Sequence, residues 1–208
     1  MGIAVDRFIE QQGYYGQKLR GGGGLIRIRH SLDKMVADGF VAIGEAANTV
    51  VPVHGSGVAS AMLTGRLAAK AAAPALETGD TSTRALWPFA ADYQRGRGRI
   101  LAAFDVVRKM VDEIPGVDAG ELFESGIIHR DDVLRGILVR TPGLDPRTLA
   151  SRIPGMLRHP AMIPRIVRMG LTLKKVMAHY ARYPMRYDPA AFGAWADEKR
   201  RLFGERAE

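Results

Sequence analysis

One segment of the chain, residues 39–73, limits the possible folds more than any other. It begins with the apolar run Phe-Val-Ala-Ile at residues 40–43, which is typical of a strand buried on both faces. A loop containing Pro52, Gly55 and Gly57 follows and leads into a stretch rich in Ala and Gly, which predicts a helix. This order suits a phosphate-bearing cofactor, because amides at a helix N-terminus attract anions and glycine allows close approach to the backbone.

The predicted helix has one face of small residues. Its members recur at spacings of three or four and are Gly57, Ala61, Gly65, Ala68 and Ala72. Residues at these spacings lie on one side of a helix. Such a face admits either a flat ligand or another backbone in a tightly packed α/β layer, and the spacing alone does not distinguish the two.

The motif also contains Gly44-Glu45-Ala46-Ala47 after the apolar run and Gly55-Ser56-Gly57 before the helix. Together these residues resemble the second flavin-binding motif of flavoprotein monooxygenase-like enzymes, and more closely that of the geranylgeranyl reductase family of FAD-dependent oxidoreductases. In that family a glycine-rich stretch and a strand ending in Arg-Arg-Pro-Leu-Asp precede the motif. Residues 21–24, a predicted strand at 25–29 and His-Ser-Leu-Asp at 30–33 resemble this lead-in, with His and Ser in place of Arg and Pro.

The resemblance implies FAD as the cofactor. The residues that it predicts to bind the cofactor are Gly44, Glu45, Pro52, His54, Gly55, Ser56 and Gly57. Glu45 stands where the family usually has Asp and would bind a hydroxyl of the ribityl chain. Pro52 would shape the loop beside the isoalloxazine ring, and Gly55 and Gly57 would present N–H groups to its pyrimidine edge, which favours the reduced flavin. His54 is either a hydrogen-bond or proton donor near the ring or a structural loop residue.

The implied fold class is α/β, of which this chain holds only a part. We expect residues 1–75 to form the C-terminal part of a Rossmann-like FAD-binding domain, with few strands and the motif helix, and residues 76–208 to be mostly α-helical. The chain contains no G-x-G-x-x-G sequence, so the main cradle for the pyrophosphate of FAD is missing. Two strands do not form a stable parallel sheet alone, so we expect a separate or missing N-terminal part to supply the others.

The remainder of the chain has helical patterns. Helices are predicted at residues 1–20, 83–114, 119–124 and 131–139. Gly96 and Gly98 predict a break near Arg97 in the longest of them. In the same helix Ile100, Phe104, Val107 and Val111 follow a 4-3-4 rhythm, which predicts packing against a core. The polar stretch at residues 76–83, after Pro74, predicts a connection.

A basic segment lies near the C-terminus. Residues 151–187 contain eight Arg or Lys and no Asp or Glu, which equals the net charge of +8 of the whole chain. The basic residues predicted to share one helical face are Arg165, Arg168, Lys175, His179, Arg182 and Arg186. The apolar residues predicted on the other side are Ile163, Ile166, Leu173, Val176, Met177 and Tyr180. The pattern suits an anionic membrane surface or a phosphate-bearing lipid, and equally a solvated face on a docked helix. Nucleic acid is not an expected partner, because the chain has no motif of that class.

The resemblance implies a reductase of carbon–carbon double bonds in isoprenoid chains, with a prenyl lipid as substrate and NAD(P)H or a ferredoxin-like protein as electron donor. It implies that the residues contacting the alkene belong mostly to the N-terminal part, and it assigns no catalytic acid here. A monooxygenase or halogenase of the same superfamily, and a non-enzymatic fragment that binds a membrane or a partner, remain alternatives. The absence of cysteine is consistent with a cytoplasmic protein, and no apolar segment is long enough to span a membrane. The basic segment at residues 151–187 is the part of the chain that suggests peripheral membrane contact. The five histidines lack metal-ligand spacing, so no metal site is predicted.

Overall fold

The computed structural model describes residues 24–112, 119–140 and 150–205, together with the single residues 7, 11 and 13. The helix predicted at residues 1–20 lies almost wholly outside the described residues. Most of the described chain is helical, and its two short strands form one antiparallel pair.

The elements follow one another in this order. The strands are β1 (Val36–Ala37) and β2 (Phe40–Val41), and a 3₁₀ turn (Gly44–Ala47) comes next. The helices are α1 (Val58–Thr78), α2 (Thr83–Tyr93), a π-helical turn (Gln94–Gly98), α3 (Arg99–Asp112), α4 (Ala119–Glu124), α5 (Arg130–Ile137), α6 (Ile153–Arg158), a second 3₁₀ turn (Pro160–Met162), α7 (Ile163–Ala181) and α8 (Pro189–Phe203).

The two strands correct the predicted sheet. Val36 pairs with Val41 in an antiparallel hairpin, so the run at residues 40–43 is not a central parallel strand. The side chains of Phe40 and Ile43 are 58% and 41% exposed, although the sequence predicts burial on both faces. Residues 25–29 form no strand. Apolar alternation indicates where side chains can be buried, but a strand also needs a neighbour, and the described part of the chain offers none here.

Helix α1 continues beyond the predicted connection at residues 76–83. It contains Pro74 and ends at Gly79, whose φ of 72° closes the helix in the left-handed conformation. Ala71 and Ala75, on either side of the proline, are buried in the core, and α1 packs along α2. This packing compensates for the hydrogen bond that a proline cannot make inside a helix.

The long helix predicted at residues 83–114 is confirmed in its described part, and so is its break near Arg97. The break is the π-helical turn between α2 and α3. It places Gln94 inside the protein, where the side-chain amide donates to the Leu32 carbonyl at 2.7 Å. Gly98 is required there, because a Cβ would lie 2.5 Å from the Gln94 Oε1 atom. The two short helices predicted after it are confirmed as α4 and α5.

The core lies between α2, the second half of α7 and α8. Rings from α2, from α8 and from Tyr183, just after α7, contact one another: the ring centroids of Trp87 and Tyr183 are 5.4 Å apart, and those of Tyr183 and Trp195 are 4.7 Å apart. Tyr180 of α7 joins them, with its ring centroid 5.2 Å from that of Trp195. Each indole N–H has an acceptor, since Trp87 Nε1 donates to the Pro184 carbonyl at 2.8 Å and Trp195 Nε1 to the His179 carbonyl at 3.2 Å. The C-terminal helices are therefore joined to α2 by aromatic packing in which both indole N–H groups are satisfied.

Helix α7 has the predicted amphipathic character with one correction. Its apolar side is buried at Ile166, Leu173, Val176 and Tyr180. His179, which the sequence predicts on the basic face, is only 3% exposed, and its Nε2 atom donates to the Trp195 carbonyl at 2.9 Å. The reason is helical geometry, because residue 179 follows Val176 by three positions and shares its face.

Candidate functional site

The 3₁₀ turn that holds Gly44 packs directly on α1. Gly44 has a φ of 58°, its N–H donates to Thr64 Oγ1 at 3.1 Å, and its carbonyl accepts the Thr49 hydroxyl at 2.9 Å. A Cβ at Gly44 would lie 3.2 Å from the Cβ of Ala61, a member of the small-residue face of α1. At this point the small residues Gly44 and Ala61 allow the backbone of the turn to lie close to the backbone of α1.

Glu45, next to Gly44 in the same turn, is exposed. It lines a recess of about 310 Å³ together with Arg27, Leu32 and Asn48, and this recess includes none of the predicted loop residues 52–57. Asn48 follows the turn in the left-handed conformation, with a φ of 53°, and its N–H donates to the Glu45 carbonyl at 2.9 Å. The recess therefore combines a carboxylate, a guanidinium and an amide, all of which can bind hydroxyl groups.

The loop at residues 51–57 is held closed by its own backbone. The Val51 N–H donates to the Ser56 carbonyl at 3.0 Å, and the Gly55 N–H donates to the Val51 carbonyl at 2.9 Å. Gly55 has a φ of 74° and no heavy atom within 4 Å of where its Cβ would be, so its backbone is open to a ligand. Pro52 is buried beneath the loop. The loop therefore has a fixed shape with an accessible glycine.

Helix α1 begins directly after this loop without a side-chain cap. Its N-cap residue, Gly57, has no side chain to accept a bond, and a Cβ there would lie 3.2 Å from Val50 Cγ2. In the first turn, Ser60 is 1% exposed, and its Oγ atom has no hydrogen-bond partner among the described residues. Uncapped N–H groups and an unpaired hydroxyl can bind an electronegative ligand group, so this corner fits the oxygen- and nitrogen-rich edge of a flavin.

His54 connects the loop to α5. Its Nδ1 atom accepts the Ser56 N–H at 3.2 Å, and its Nε2 atom donates to the Gly136 carbonyl at 3.2 Å. This pattern assigns the hydrogen to Nε2, because an atom that accepts an N–H bond carries no hydrogen of its own. With both nitrogens engaged, His54 has the contacts of a structural loop residue.

An apolar cavity of about 1120 Å³ lies next to the loop. Within the described residues its wall includes Pro52, Val53 and His54 from the loop and side chains from α3, α4, α5, α6 and α7. Most of the side chains in the wall are apolar, and they include Phe104, Val107, Phe123, Ile127, Met156, Val167 and Leu171. A cavity of this size and lining suits a long hydrocarbon ligand.

Sequence reasoning missed this cavity. The 4-3-4 rhythm of α3 is real, but Phe104, Val107 and Val111 line the cavity as well as facing the other helices. A periodic apolar stripe indicates which face of a helix turns inward, and it does not indicate whether the space opposite is filled.

The charged side chains at the cavity are mostly paired. Arg152 contacts Asp132 at 2.6 Å and donates to the Ile127 carbonyl at 3.0 Å. Arg108 contacts the buried carboxylate of Asp105 at 2.8 Å. These pairs reduce the field that an apolar ligand would meet inside the cavity.

A buried charged cluster, also missed by sequence reasoning, fixes the lead-in at residues 30–33. His30 Nδ1 donates to Asp105 Oδ2 at 2.8 Å, and Lys199 Nζ donates to His30 Nε2 at 2.9 Å and to Asp33 Oδ1 at 2.5 Å. Burial alone would raise the pKa of Asp105, but the hydrogen bonds from His30 and Arg108 outweigh it and lower the pKa below its ordinary value. The lead-in is thereby tied to α3 and α8.

Within the described residues, none of the helices has both the length and the apolarity that crossing a bilayer requires.

Comparison with known proteins gives homologues of one kind. No protein-family model matches the chain. A digeranylgeranylglycerophospholipid reductase of Sulfolobus acidocaldarius is 32% identical over 177 residues, which cover 85% of this chain and 39% of that protein. A protein of the same name from Methanoculleus marisnigri is 36% identical over 93 residues, or 45% of this chain and 23% of the relative.

A third relative, digeranylgeranylglycerophospholipid reductase 1 of Methanopyrus kandleri, is 31% identical over 112 residues, or 51% of this chain and 29% of the relative. The chain thus spans less than half the length of the curated relatives it matches. The relatives are of the same kind as the enzymes that the motif at residues 44–57 resembles, and the chain belongs to the geranylgeranyl reductase family.

Proposed function

We propose that this chain is the C-terminal part of an FAD-dependent reductase that saturates carbon–carbon double bonds in the isoprenoid chains of lipids. The observation that carries the proposal is that Pro52, Val53 and His54 of the flavin-like loop form part of the wall of the apolar cavity. A redox cofactor held by this loop would lie beside a space suited to a hydrocarbon chain. The relatives named above are reductases of a lipid whose name contains two geranylgeranyl groups, which supports the same chemistry.

For the cofactor we propose FAD. Of the predicted residues, Glu45, Pro52, Gly55, Ser56 and Gly57 would contact it. Gly44 and His54, whose polar atoms are engaged within the protein, would shape the turn and the loop around it. The uncapped start of α1 would supply N–H donors for the flavin ring, and the recess at Glu45 a carboxylate for the ribityl chain. The N–H of Gly55 already donates to the Val51 carbonyl, so this glycine would contribute close approach of the ring rather than a donor. The parallel strands and the pyrophosphate cradle of a Rossmann-like domain would come from the N-terminal part, for which the longer relatives have room.

For the substrate we propose a prenyl lipid whose chain enters the cavity. The resemblance implies that contacts to the alkene come mostly from the N-terminal part. The cavity supports a further role for the present chain, which would supply much of the surface that binds the hydrocarbon. Burial of each methylene in such a site contributes about 0.8 kcal/mol, so a chain of isoprene units gains most of its affinity from apolar contact.

When bound, reduced FAD supplies a hydride, and a proton completes the saturation of the double bond. The residues of this chain would act on that reaction by binding and orientation. The apolar wall would exclude water and hold the chain against the loop, and the uncapped N–H groups at the start of α1 would stabilise negative charge on their ligand. We assign no proton-transfer role to His54, since both of its ring nitrogens are engaged.

The partners follow from the same proposal. Electrons would come from NAD(P)H or a ferredoxin-like protein, and an N-terminal polypeptide would complete the FAD site. We also propose peripheral contact with an anionic membrane through residues 151–187, in a protein located in the cytoplasm. In this segment the exposed apolar residues Leu157 and Met185, which lie outside the cavity wall, are each followed by an exposed cation, Arg158 and Arg186, a combination that suits the surface of a bilayer.

The test is whether the cavity binds a prenyl chain. Gly170 on α7 lines the cavity, and no heavy atom lies within 4 Å of where its Cβ would be. Gly170→Phe should therefore keep the fold, improve helix propensity and place a ring in the cavity. We expect geranylgeranyl diphosphate to bind the 208-residue chain at least tenfold more weakly after this change, as measured by isothermal titration calorimetry.

Gly193→Phe is the matched control, because Gly193 is also helical and open at its Cβ position but lies outside the cavity wall. It should leave the affinity unchanged. Equal binding by both variants would show that the prenyl chain does not occupy this cavity. Failure of the wild-type chain to bind any prenyl probe would favour the non-enzymatic alternative, whereas the monooxygenase or halogenase alternative has no support in the names of the relatives.

A further inference from the structure

His54 makes two contacts that join separate parts of the proposed site. One contact stays inside the loop, from the Ser56 N–H to Nδ1. The other leaves the loop, from Nε2 to the carbonyl of Gly136 on α5, which is 82 positions away in the chain. Side chains of α5, such as those of Asp132, Val133 and Ile137, line the cavity. The imidazole therefore bridges the loop to the cavity wall.

Backbone hydrogen bonds fix the shape of the loop itself, whereas its other contacts toward α5 are apolar and less directional. Val51 of the loop belongs to a small core cluster with Leu101, Phe104 and Val139, of which Val139 lies just after α5. These contacts hold the loop near α5, but dispersion forces do not fix the angle between them. A hydrogen bond depends strongly on angle, and His54 contributes two of them at opposite sides of one rigid ring.

We infer that His54 is a positioning residue that holds the loop at residues 51–57 in a fixed arrangement with α5, so that the N–H donors of the loop and the cavity keep one geometry. The functional consequence rests on the proposed function: His54 would keep the cofactor and the prenyl chain in a fixed position relative to each other. A ligand that fills the cavity and presses on α5 changes the environment of the loop through the imidazole.

Two side chains can separate the contacts of His54. The Oδ1 atom of asparagine matches Nδ1 in distance from the backbone, so His54→Asn keeps an acceptor for the Ser56 N–H, as in an Asx turn, and loses the bridge to Gly136. The Nε2 atom of glutamine matches the histidine Nε2, so His54→Gln keeps the donor to Gly136 and loses the acceptor. His54→Ala removes both.

The first measurement needs neither cofactor nor substrate. Nitrogen-15 spectra of the imidazole should show the hydrogen on Nε2, and hydrogen exchange should show a protected Ser56 amide in the wild-type chain. We expect exchange of this amide to be on the order of fivefold faster in His54→Gln and His54→Ala, the effect of one lost hydrogen bond, and to be unchanged in His54→Asn. Melting temperatures should stay close to wild type, because His54 lies at the surface. A hydrogen on Nδ1, or equal exchange in all four proteins, would overturn the inference.

The second measurement tests the bridge. Addition of geranylgeranyl diphosphate should shift the amide resonances of Ser56 and Gly57 in the wild-type chain and in His54→Gln, and should shift them far less in His54→Asn. Equal shifts in His54→Asn would contradict the bridging role. If no protein binds the prenyl probe, the proposed function is wrong, and the tautomer and the exchange rates still decide the local role of His54.

Discussion

The two ends of α7 lie in different environments. In its second half, Leu173 and Val176 are fully buried and Tyr180 is 1% exposed, against the rings of α2 and α8. In its first half, Val167 and Leu171 are 55% and 56% exposed and line the cavity. One helix therefore contributes to a filled core at one end and to an open apolar space at the other.

The difference shows how stability and binding are divided in this protein. The filled end has rings in edge-to-face or stacked contact and an acceptor for the indole N–H of Trp87, which is typical of a core that specifies one structure. The buried hydroxyl of Tyr180 has no hydrogen-bond partner among the described residues. The open end exposes apolar side chains that folding has not buried, so their burial remains available to a ligand. Substitutions should therefore affect folding at one end and binding at the other.

The largest effect is expected from Trp87→Ala at the filled end. Trp87 is fully buried, contacts Tyr183, and donates its Nε1 hydrogen to the Pro184 carbonyl. Its removal should lower the free energy of unfolding by about 3–5 kcal/mol, because it leaves a large cavity and an unpaired carbonyl. Urea denaturation followed by circular dichroism measures this. A loss below about 1 kcal/mol would mean that the aromatic cluster is not the stabilising core.

The filled end of α7 and the helices around it are also the part of the fold that the sequence predicts best. The periodicity of α7 correctly predicts the buried side from Ile166 to Tyr180, and the glycines near Arg97 predict the break before α3. Both features are local, since they depend on residues within a few helical turns. His179 is the exception, because its polar type indicates the surface while its position indicates the core.

The candidate site was predictable in its motif and not in its surroundings. The loop and the start of α1 follow from the order of glycines at residues 55–57, whereas the cavity depends on which helices fold over that loop. The cluster of His30, Asp105 and Lys199 joins residues 75 and 169 positions apart, and no pattern in the sequence brings them together. For the same reason the strand predicted at 25–29 is absent and the one predicted at 40–43 is only Phe40–Val41 in an antiparallel hairpin, since a strand is defined by its neighbour.

A smaller effect at the filled end should depend on pH. Burial lowers the pKa of His179 below its ordinary value of 6.5, and the bond to the Trp195 carbonyl only partly opposes this. The unfolded chain therefore takes up a proton that the folded protein resists, so stability is lost as the pH falls below about 6.5. Arg182 adds to this lowering, and Glu198 and Asp33 oppose it.

His179→Gln should remove this dependence while keeping a donor for the Trp195 carbonyl. We expect the free energy of unfolding of the wild type to fall by about 1 kcal/mol more than that of the variant between pH 7 and pH 5.5. Denaturation curves at several pH values measure the difference, and the comparison cancels groups that titrate in both proteins. Parallel pH profiles would show that His179 is protonated without cost in the folded protein.

The smallest effect on folding is expected at the open end, from Leu171→Ala. Leu171 is more than half exposed, so its truncation should change the free energy of unfolding by less than about 0.5 kcal/mol. Leu173→Ala, two positions along the same helix, is the matched control, and it should cost about 2–4 kcal/mol because Leu173 is fully buried. Leu171→Ala should nevertheless weaken the affinity for geranylgeranyl diphosphate severalfold, since a cavity-lining contact is lost. Leu173 also lines the cavity, so Leu173→Ala is a control for folding and not for binding. If Leu171→Ala destabilised the fold as much as Leu173→Ala and left binding unchanged, the two ends of α7 would not differ in role.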